Sequence, residues 1–310
     1  MCQLNPKNRA IIHPDKSQRL IISPIPHCIA KADKNIIDID LMEKVDGVLV
    51  KDKIPVEWAF TKGDHRLFSQ VIFDKLIELH QVDIEAAGLT EFGTPEGYAA
   101  RQIVGWNKRF VNAKTADIPG FDDVREWLVA TIPDESNSTL PASLLHGDYR
   151  IDNVMLDPKD PFKVVAVLDW EMAALGDPLM DLSNALAYWV HNDDPIVLKS
   201  ILKQPSDMPG MMRREEIIAH YGDRTGLDTS RWDFYEVYGY WRLVVILQQL
   251  YFRYVNKQTQ DVRFASYGQA VSDLDLKVYH NSLIVLFAWS DAPLHLVVPI
   301  PTRVPMFFGA

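Results

Sequence analysis

Apolar positions follow two rhythms along this chain, and the switch between them is the first clue to its architecture. Over residues 66–82 they recur every three or four positions, with Ile72, Leu76 and Leu79 on one face, which predicts an amphipathic helix. The same spacing predicts helices over 99–110, 121–130, 182–190, 213–221, 232–256 and 263–278. In the longest of these, Leu243, Ile246, Leu247 and Leu250 mark the expected buried stripe. Trp106 and Phe110 lie four apart on their helix and are candidates for a pocket wall, although an aromatic pair at that spacing is more often core. The rhythm shortens between 154 and 168. Val154 to Leu156 is a short apolar run, Asp157-Pro158-Lys159-Asp160-Pro161 is a turn cluster, and Val164 to Leu168 is a β-branched run suited to a strand. Residues 1–23 show no clear period.

If the two short runs pair as an antiparallel hairpin, the start of the first lies beside the end of the second. Asn153 and Asp169 become neighbours, with Asp148 on the loop just upstream, inside the run His146-Gly147-Asp148-Tyr149-Arg150-Ile151-Asp152-Asn153. Two hard oxygen ligands close together suit Mg²⁺, which otherwise prefers water and phosphate oxygens. A carboxylate one loop away is placed to accept a proton from an attacking hydroxyl. That combination serves phosphoryl transfer, where positioning and charge neutralisation carry most of the catalysis. Each residue has a plainer reading. His146 is expected to brace the loop by hydrogen bonding. Arg150 is either a solvated loop residue or a cation aimed at the transferred phosphate. Asp152 reads as a loop carboxylate, and Glu171 as a group that reaches the metal through water at most. Asp177 and Pro178 read as the N-cap and first-turn residue of the next helix. His80 reads as a helix C-terminal residue, where a cation is favoured.

The spacing H-x-D-x-x-x-x-N followed by Asp169-Trp170-Glu171 resembles the kinase catalytic loop and its metal-binding Asp. The Gly after His146, and Trp-Glu after Asp169, resemble the aminoglycoside phosphotransferase and choline kinase branch. HGDYRIDN and LDWEMAALGDPLMDL look most like the subgroup related to the kinase half of acyl-CoA dehydrogenase fusion proteins. The resemblance covers about residues 24–277. It implies an α+β, protein-kinase-like fold: a truncated N-lobe with few antiparallel strands over 24–47 and a mainly helical C-lobe with the catalytic hairpin over 48–278. Residues 279–310 form a tail with no counterpart. It also implies ATP as co-substrate, Mg²⁺ held by Asn153 and Asp169, and Asp148 as the group orienting or deprotonating the acceptor, with Arg150 offsetting γ-phosphoryl charge. Met42, Glu43 and Lys44 become the hinge that binds adenine through backbone groups, the strand before them spanning 36–42, and Asp181 becomes a brace beneath the catalytic loop. The acceptor class implied is a small molecule bearing a hydroxyl, such as a hydroxyacyl-CoA.

Such kinases carry a Gly-containing phosphate loop and a strand Lys upstream of the segment that begins at Pro24. Residues 1–23 contain no glycine, and Lys7, Lys16 and Lys31 sit on no strand that follows such a loop. The expectation is weak or no kinase activity. The alternatives are a kinase-fold module that binds without catalysis, or a truncated product. A metal-dependent phosphoesterase would want several His ligands, and the site region offers His146 alone.

Composition alters this picture little. Hydrophobic residues make up 47% of the 310, and 32 basic residues face 42 acidic ones for a net charge of −10. That balance disfavours nucleic-acid binding, which neutralises phosphates with Lys and Arg. The two cysteines, Cys2 and Cys28, show no ligand spacing and fit a reducing, intracellular compartment such as the cytoplasm, an organelle fitting as well. No secretory leader and no membrane-spanning run is expected. The oligomeric state is left open.

Overall fold

The computed structural model describes residues 45–133, 142–194, 196–202 and 204–274, together with two short strands at 27–28 and 39–40. The hinge candidates Met42, Glu43 and Lys44, and the tail 279–310, lie outside the described residues.

Strand β1 (His27–Cys28) pairs antiparallel with β2 (Ile39–Asp40). The second sheet is built on the hairpin. Strands β5 (Val154–Asp157) and β6 (Asp160–Val167) pair antiparallel, Val154 opposite Val167, with register shifts on either side of Leu156. The turn is tighter than its sequence suggests: Asp160 and Pro161 already belong to β6, leaving Pro158 and Lys159 as the link. Strand β3 (Val48–Leu49) adds to the other edge, Val48 opposite Leu156, a pairing the sequence pattern did not announce. A third small sheet joins β4 (Ser143–Leu145) to β7 (Ala174–Gly176), Leu144 opposite Leu175.

The rest is helical. Helix α1 (Lys62–His80) begins four residues before its apolar period does, because Thr61 and Asp64 form a reciprocal capping box at its start. It buries Phe68, Ile72, Phe73, Leu76, Ile77 and Leu79 against the core, each side chain contributing about 1.5–3 kcal/mol of transfer free energy. Helices α2 (Tyr98–Ala113), α3 (Asp122–Ala130) and α4 (Pro178–Tyr188) follow, then α5 (Ile196–Ile201), α6 (Arg214–Thr225) and α7 (Trp232–Val255). A single turn of 3₁₀ helix, Val262–Ser266, and a helical stretch over 267–274 replace the start of the last expected helix.

Helix α7 departs from the expected stripe. Leu243 and Leu247 are buried, but Ile246 and Leu250 are only half-buried, while Phe234, Val237, Tyr238, Trp241, Val244 and Val245 are all buried. The helix is therefore enclosed nearly all round by α2, α3 and α4, and a one-sided stripe was the wrong pattern to seek. Phe110 and Trp106 are buried too, with Phe110 packed against Trp241 at 4.9 Å and Phe121 at 5.5 Å between ring centres. For this pair the core reading holds. Among the described residues, no helix is long and apolar enough to cross a membrane.

Candidate active site

The loop from His146 to Asn153 leaves β4, and β7 returns beside β4 after the hairpin, so both ends of the site region are tied to one two-stranded sheet. Hydrogen bonds then fix the loop from several sides. The buried carboxylate of Asp181, in the first turn of α4, accepts the backbone N–H of His146 at 2.7 Å and that of Gly147 at 2.9 Å. The bracing expected of Asp181 is what the geometry displays. Asp177 caps α4 by accepting the Leu179 N–H at 2.8 Å, and Pro178 occupies the first position. The Tyr149 hydroxyl donates to the Ile72 carbonyl of α1 at 2.6 Å.

His146 is fully buried. Its Nδ1 accepts the Asp148 N–H at 3.2 Å, so its Nε2 carries the proton donated to the Leu168 carbonyl at 2.8 Å. These partners select the neutral Nε2–H tautomer. Burial holds the imidazole below its ordinary pKa, against the pull of Asp181, Asp148 and Asp169 nearby. His146 is thus a strut between the 146–153 loop and the hairpin, as the sequence suggested.

Asn153 closes the loop. Its Nδ2 donates to the Asp148 carbonyl at 2.9 Å, and its own carbonyl accepts the Leu168 N–H at 2.8 Å. Asp169 follows directly on the residue bonded to Asn153, so the hairpin brings the two together. The chain turns sharply there: Asp169 adopts left-handed backbone angles (φ 68°, ψ 59°), costly for most residues and less so for Asp. Its neighbour Trp170 anchors the turn by donating to the Val167 carbonyl at 2.7 Å and by packing 4.7 Å from the His146 ring.

The residues present fit a hard divalent cation. With the Asn153 Nδ2 committed to a carbonyl, the opposite, Oδ1 edge of the amide is the acceptor left to face a ligand, and the Asp169 carboxylate is solvent-exposed. One amide and one carboxylate are the meagre protein donor set that Mg²⁺ takes while keeping water and phosphate oxygens. Among the described residues, no group of three His, Cys, Asp or Glu gathers to form a protein cage.

Asp148 is half-buried, its Oδ2 3.9 Å from the Arg150 Nε. Arg150 also donates to Asp152 at 3.1 Å and lies 5.0 Å over the Tyr188 ring, so it is held inside the site rather than loose in solvent. Burial pushes the Asp152 carboxyl above its ordinary range, with Arg150 opposing. Glu171 is exposed, with no partner described that draws it into the site.

Two side chains beneath the site were not singled out as part of it from the sequence. His80, the last residue of α1, is buried; its Nε2 lies 3.1 Å from Asp181 Oδ2 and its Nδ1 2.7 Å from the Tyr221 hydroxyl. Its position at a helix end was legible, but the reason for a His there is Asp181, not the helix dipole. Burial pushes the Asp181 carboxyl up, yet the hydrogen bond and charge of His80, with the backbone N–H of His146, hold it below the ordinary carboxylate range. Arg242 of α7 is buried and donates to the Gly147 carbonyl at 2.6 Å. A lone Arg in an apolar helical run was the signal available for it.

With the site in view, the class of protein is defined. The sequence model of the phosphotransferase enzyme family matches residues 17–217, and the chain belongs to that family. It is 31% identical over 309 residues to "Acyl-CoA dehydrogenase family member 11" of Pongo abelii, covering 95% of this chain and 38% of that relative. It is also 31% identical over 238 residues to "Acyl-CoA dehydrogenase family member 10" of Mus musculus, covering 76% of this chain and 21% of the relative. The chain thus spans less than half the length of these relatives. Among solved structures it is similar to a protein of Ralstonia eutropha JMP134 assigned as an aminoglycoside phosphotransferase, with a TM-score of 0.67, 26% identity, and 78% of this chain and 72% of that one covered. The α+β, kinase-like architecture expected from the sequence is the one observed.

Proposed function

We propose that the chain is an ATP-dependent small-molecule phosphotransferase that moves the γ-phosphoryl group to a hydroxyl. Asp148 orients the acceptor and takes its proton as the new O–P bond forms and the bond to the ADP oxygen breaks. Arg150, held between Asp148, Asp152 and the Tyr188 ring, neutralises charge on the transferred group. Asn153 and Asp169 would hold Mg²⁺, which when bound offsets the negative charge of the β- and γ-phosphates. Met42, Glu43 and Lys44 are assigned to adenine through their backbone groups, on the family pattern alone. Support for this reading comes above all from one observation: the hairpin register sets Asp169 next to Asn153 while the Asn153 amide is bonded back to Asp148.

The acceptor belongs here as well. The similarity to acyl-CoA dehydrogenase family members 10 and 11 favours a hydroxylated acyl thioester over an antibiotic. The test is ADP formation by the full chain with Mg-ATP and a panel of hydroxyacyl-CoA thioesters, in parallel with Asp148→Ala. Weak acceptor-dependent ADP release, limited by the missing glycine loop and strand lysine, that disappears in the variant is the expected result. Nucleotide binding with no release in the intact chain would instead favour a kinase-fold binding module.

A further inference from the structure

The residue that most needs an explanation is Arg242. A guanidinium only 4% exposed is costly to desolvate, and here its hydrogen-bond partner is a main-chain carbonyl rather than a carboxylate. The indole of Trp106 on α2 also lies beside it, its centre 5.2 Å from the guanidinium carbon. Something specific must justify a cation at that place, and the identity of the carbonyl supplies it. Gly147 immediately precedes Asp148, and the two share one peptide plane.

We propose that Arg242 is a positioning residue for Asp148, clamping the Gly147–Asp148 peptide together with His146. A peptide unit is planar, so fixing its C=O and its N–H fixes the orientation of the whole plane. The C=O is taken by Arg242 at 2.6 Å, and the N–H donates to His146 Nδ1 at 3.2 Å. The need for a clamp comes from the glycine. Gly147 sits at φ 82°, a conformation that glycine enters and leaves at little cost, so nothing intrinsic to the chain prevents this peptide from rotating. Rotation would swing the start of the Asp148 side chain away from its place beside Asn153. The preceding N–H groups of His146 and Gly147 are already held by Asp181, which leaves this plane as the remaining free element before the carboxylate.

Arginine suits the task better than lysine. Its flat, delocalised head lies over an indole while one N–H points in-plane at an acceptor, and it is more weakly hydrated than an ammonium. Helix α7 thereby reaches the loop from 95 residues away in sequence, and Trp106 links the same contact to α2.

The inference rests on the phosphotransferase reading for what Asp148 does, but not for the clamp itself. Full-length Arg242→Gln, Arg242→Lys and Asp148→Ala are compared with the unaltered chain in two measurements. The first is kcat and KM for Mg-ATP in acceptor-dependent turnover. The second is hydrogen–deuterium exchange of the amides at 147–149, with 68–77 of α1 as the internal reference. Arg242→Gln is expected to lower kcat by roughly 100-fold, the scale of a one-ångström misplacement, with KM for ATP within about threefold of normal. Amides 147–149 lose protection while the α1 reference keeps it, and Arg242→Lys recovers part of both losses. Unchanged kcat and unchanged exchange in folded Arg242→Gln overturns the clamp. If Arg242→Gln does not fold, Arg242→Lys decides: loss of kcat and of protection at 147–149 supports the clamp, and normal values assign Arg242 to core stability. Turnover surviving in Asp148→Ala removes Asp148 from the chemistry, and the exchange result alone then judges the clamp. The same holds if the unaltered chain shows no turnover.

Discussion

Asp181 accepts the backbone N–H of His146 at 2.7 Å across 35 positions of sequence, and that bond ties the 146–153 loop to helix α4. The same carboxylate takes the Gly147 N–H and meets His80 of α1, so three segments converge on one buried charge. Removing it leaves two main-chain donors and the Nε2 of His80 without a partner in the interior.

Asp181→Asn is accordingly expected to cost about 3–5 kcal/mol at neutral pH, the range for breaking a buried charged network. The sign of its pH dependence follows from a folded pKa held below the ordinary carboxylate value. The carboxylate's stabilising effect is complete above about pH 4, the unfolded value, and is lost as pH falls through the lower folded value. Urea unfolding of both proteins from pH 7 to pH 3 should show their gap wide at the top and closing at the acidic end.

Asp148→Asn removes the charge of a half-buried side chain whose nearest ion-pair contact is the long 3.9 Å approach of Arg150. A melting temperature close to that of the unaltered chain is expected. Loss of the proton acceptor should lower kcat by about 10²–10⁴-fold. Equal turnover in the two would remove Asp148 from the chemistry.

Asp169→Asn tests the cation site separately from the acceptor site. Mg-ADP at one hundred times its Kd stabilises a protein by roughly 2.7 kcal/mol. That metal-dependent rise in melting temperature should shrink or vanish in the variant. Keeping the full rise would mean that Mg²⁺ is held elsewhere.

Gly147→Ala probes the loop backbone. Positive φ costs an L-residue roughly 1–2 kcal/mol, and an added methyl would press on the Met172 carbonyl oxygen. Chemical denaturation should register at least that loss, while Gly226→Ala at the end of α6, also at positive φ but with open space around it, should show the conformational cost alone.

Much of this site was readable because its parts are local. Asp148, Asn153 and Asp169 lie within 22 positions, and a turn cluster between two apolar runs was enough to fold Asn153 back on Asp169. Asp177 and Pro178 followed from the rules for helix starts, and the bracing role of Asp181 from the family resemblance. The contributors of the supporting layer were harder. His80 and Arg242 reach the loop from α1 and α7, and no periodicity tells which distant helix ends beneath which loop. Strand β3 was hidden for a different reason: two residues are too few to show alternation, and its partner β5 supplies the pairing. The start of α1 was within reach, since Thr61 and Asp64 carry a capping-box pattern ahead of the first apolar repeat. Enclosure of α7 on nearly every side blurred the amphipathic signal on which its buried face was judged.

The β5–β6 hairpin has Asn153 and Asp169 at its open base and a two-residue link, Pro158 and Lys159, at the tip. Growth at that tip leaves the base untouched, whereas one residue inserted into a single strand must be swallowed by a further bulge or it displaces Asp169 from Asn153. Related sequences should therefore tolerate extra length near position 158 and resist it between 164 and 169, which makes the tip a natural place to graft a tag or sensor.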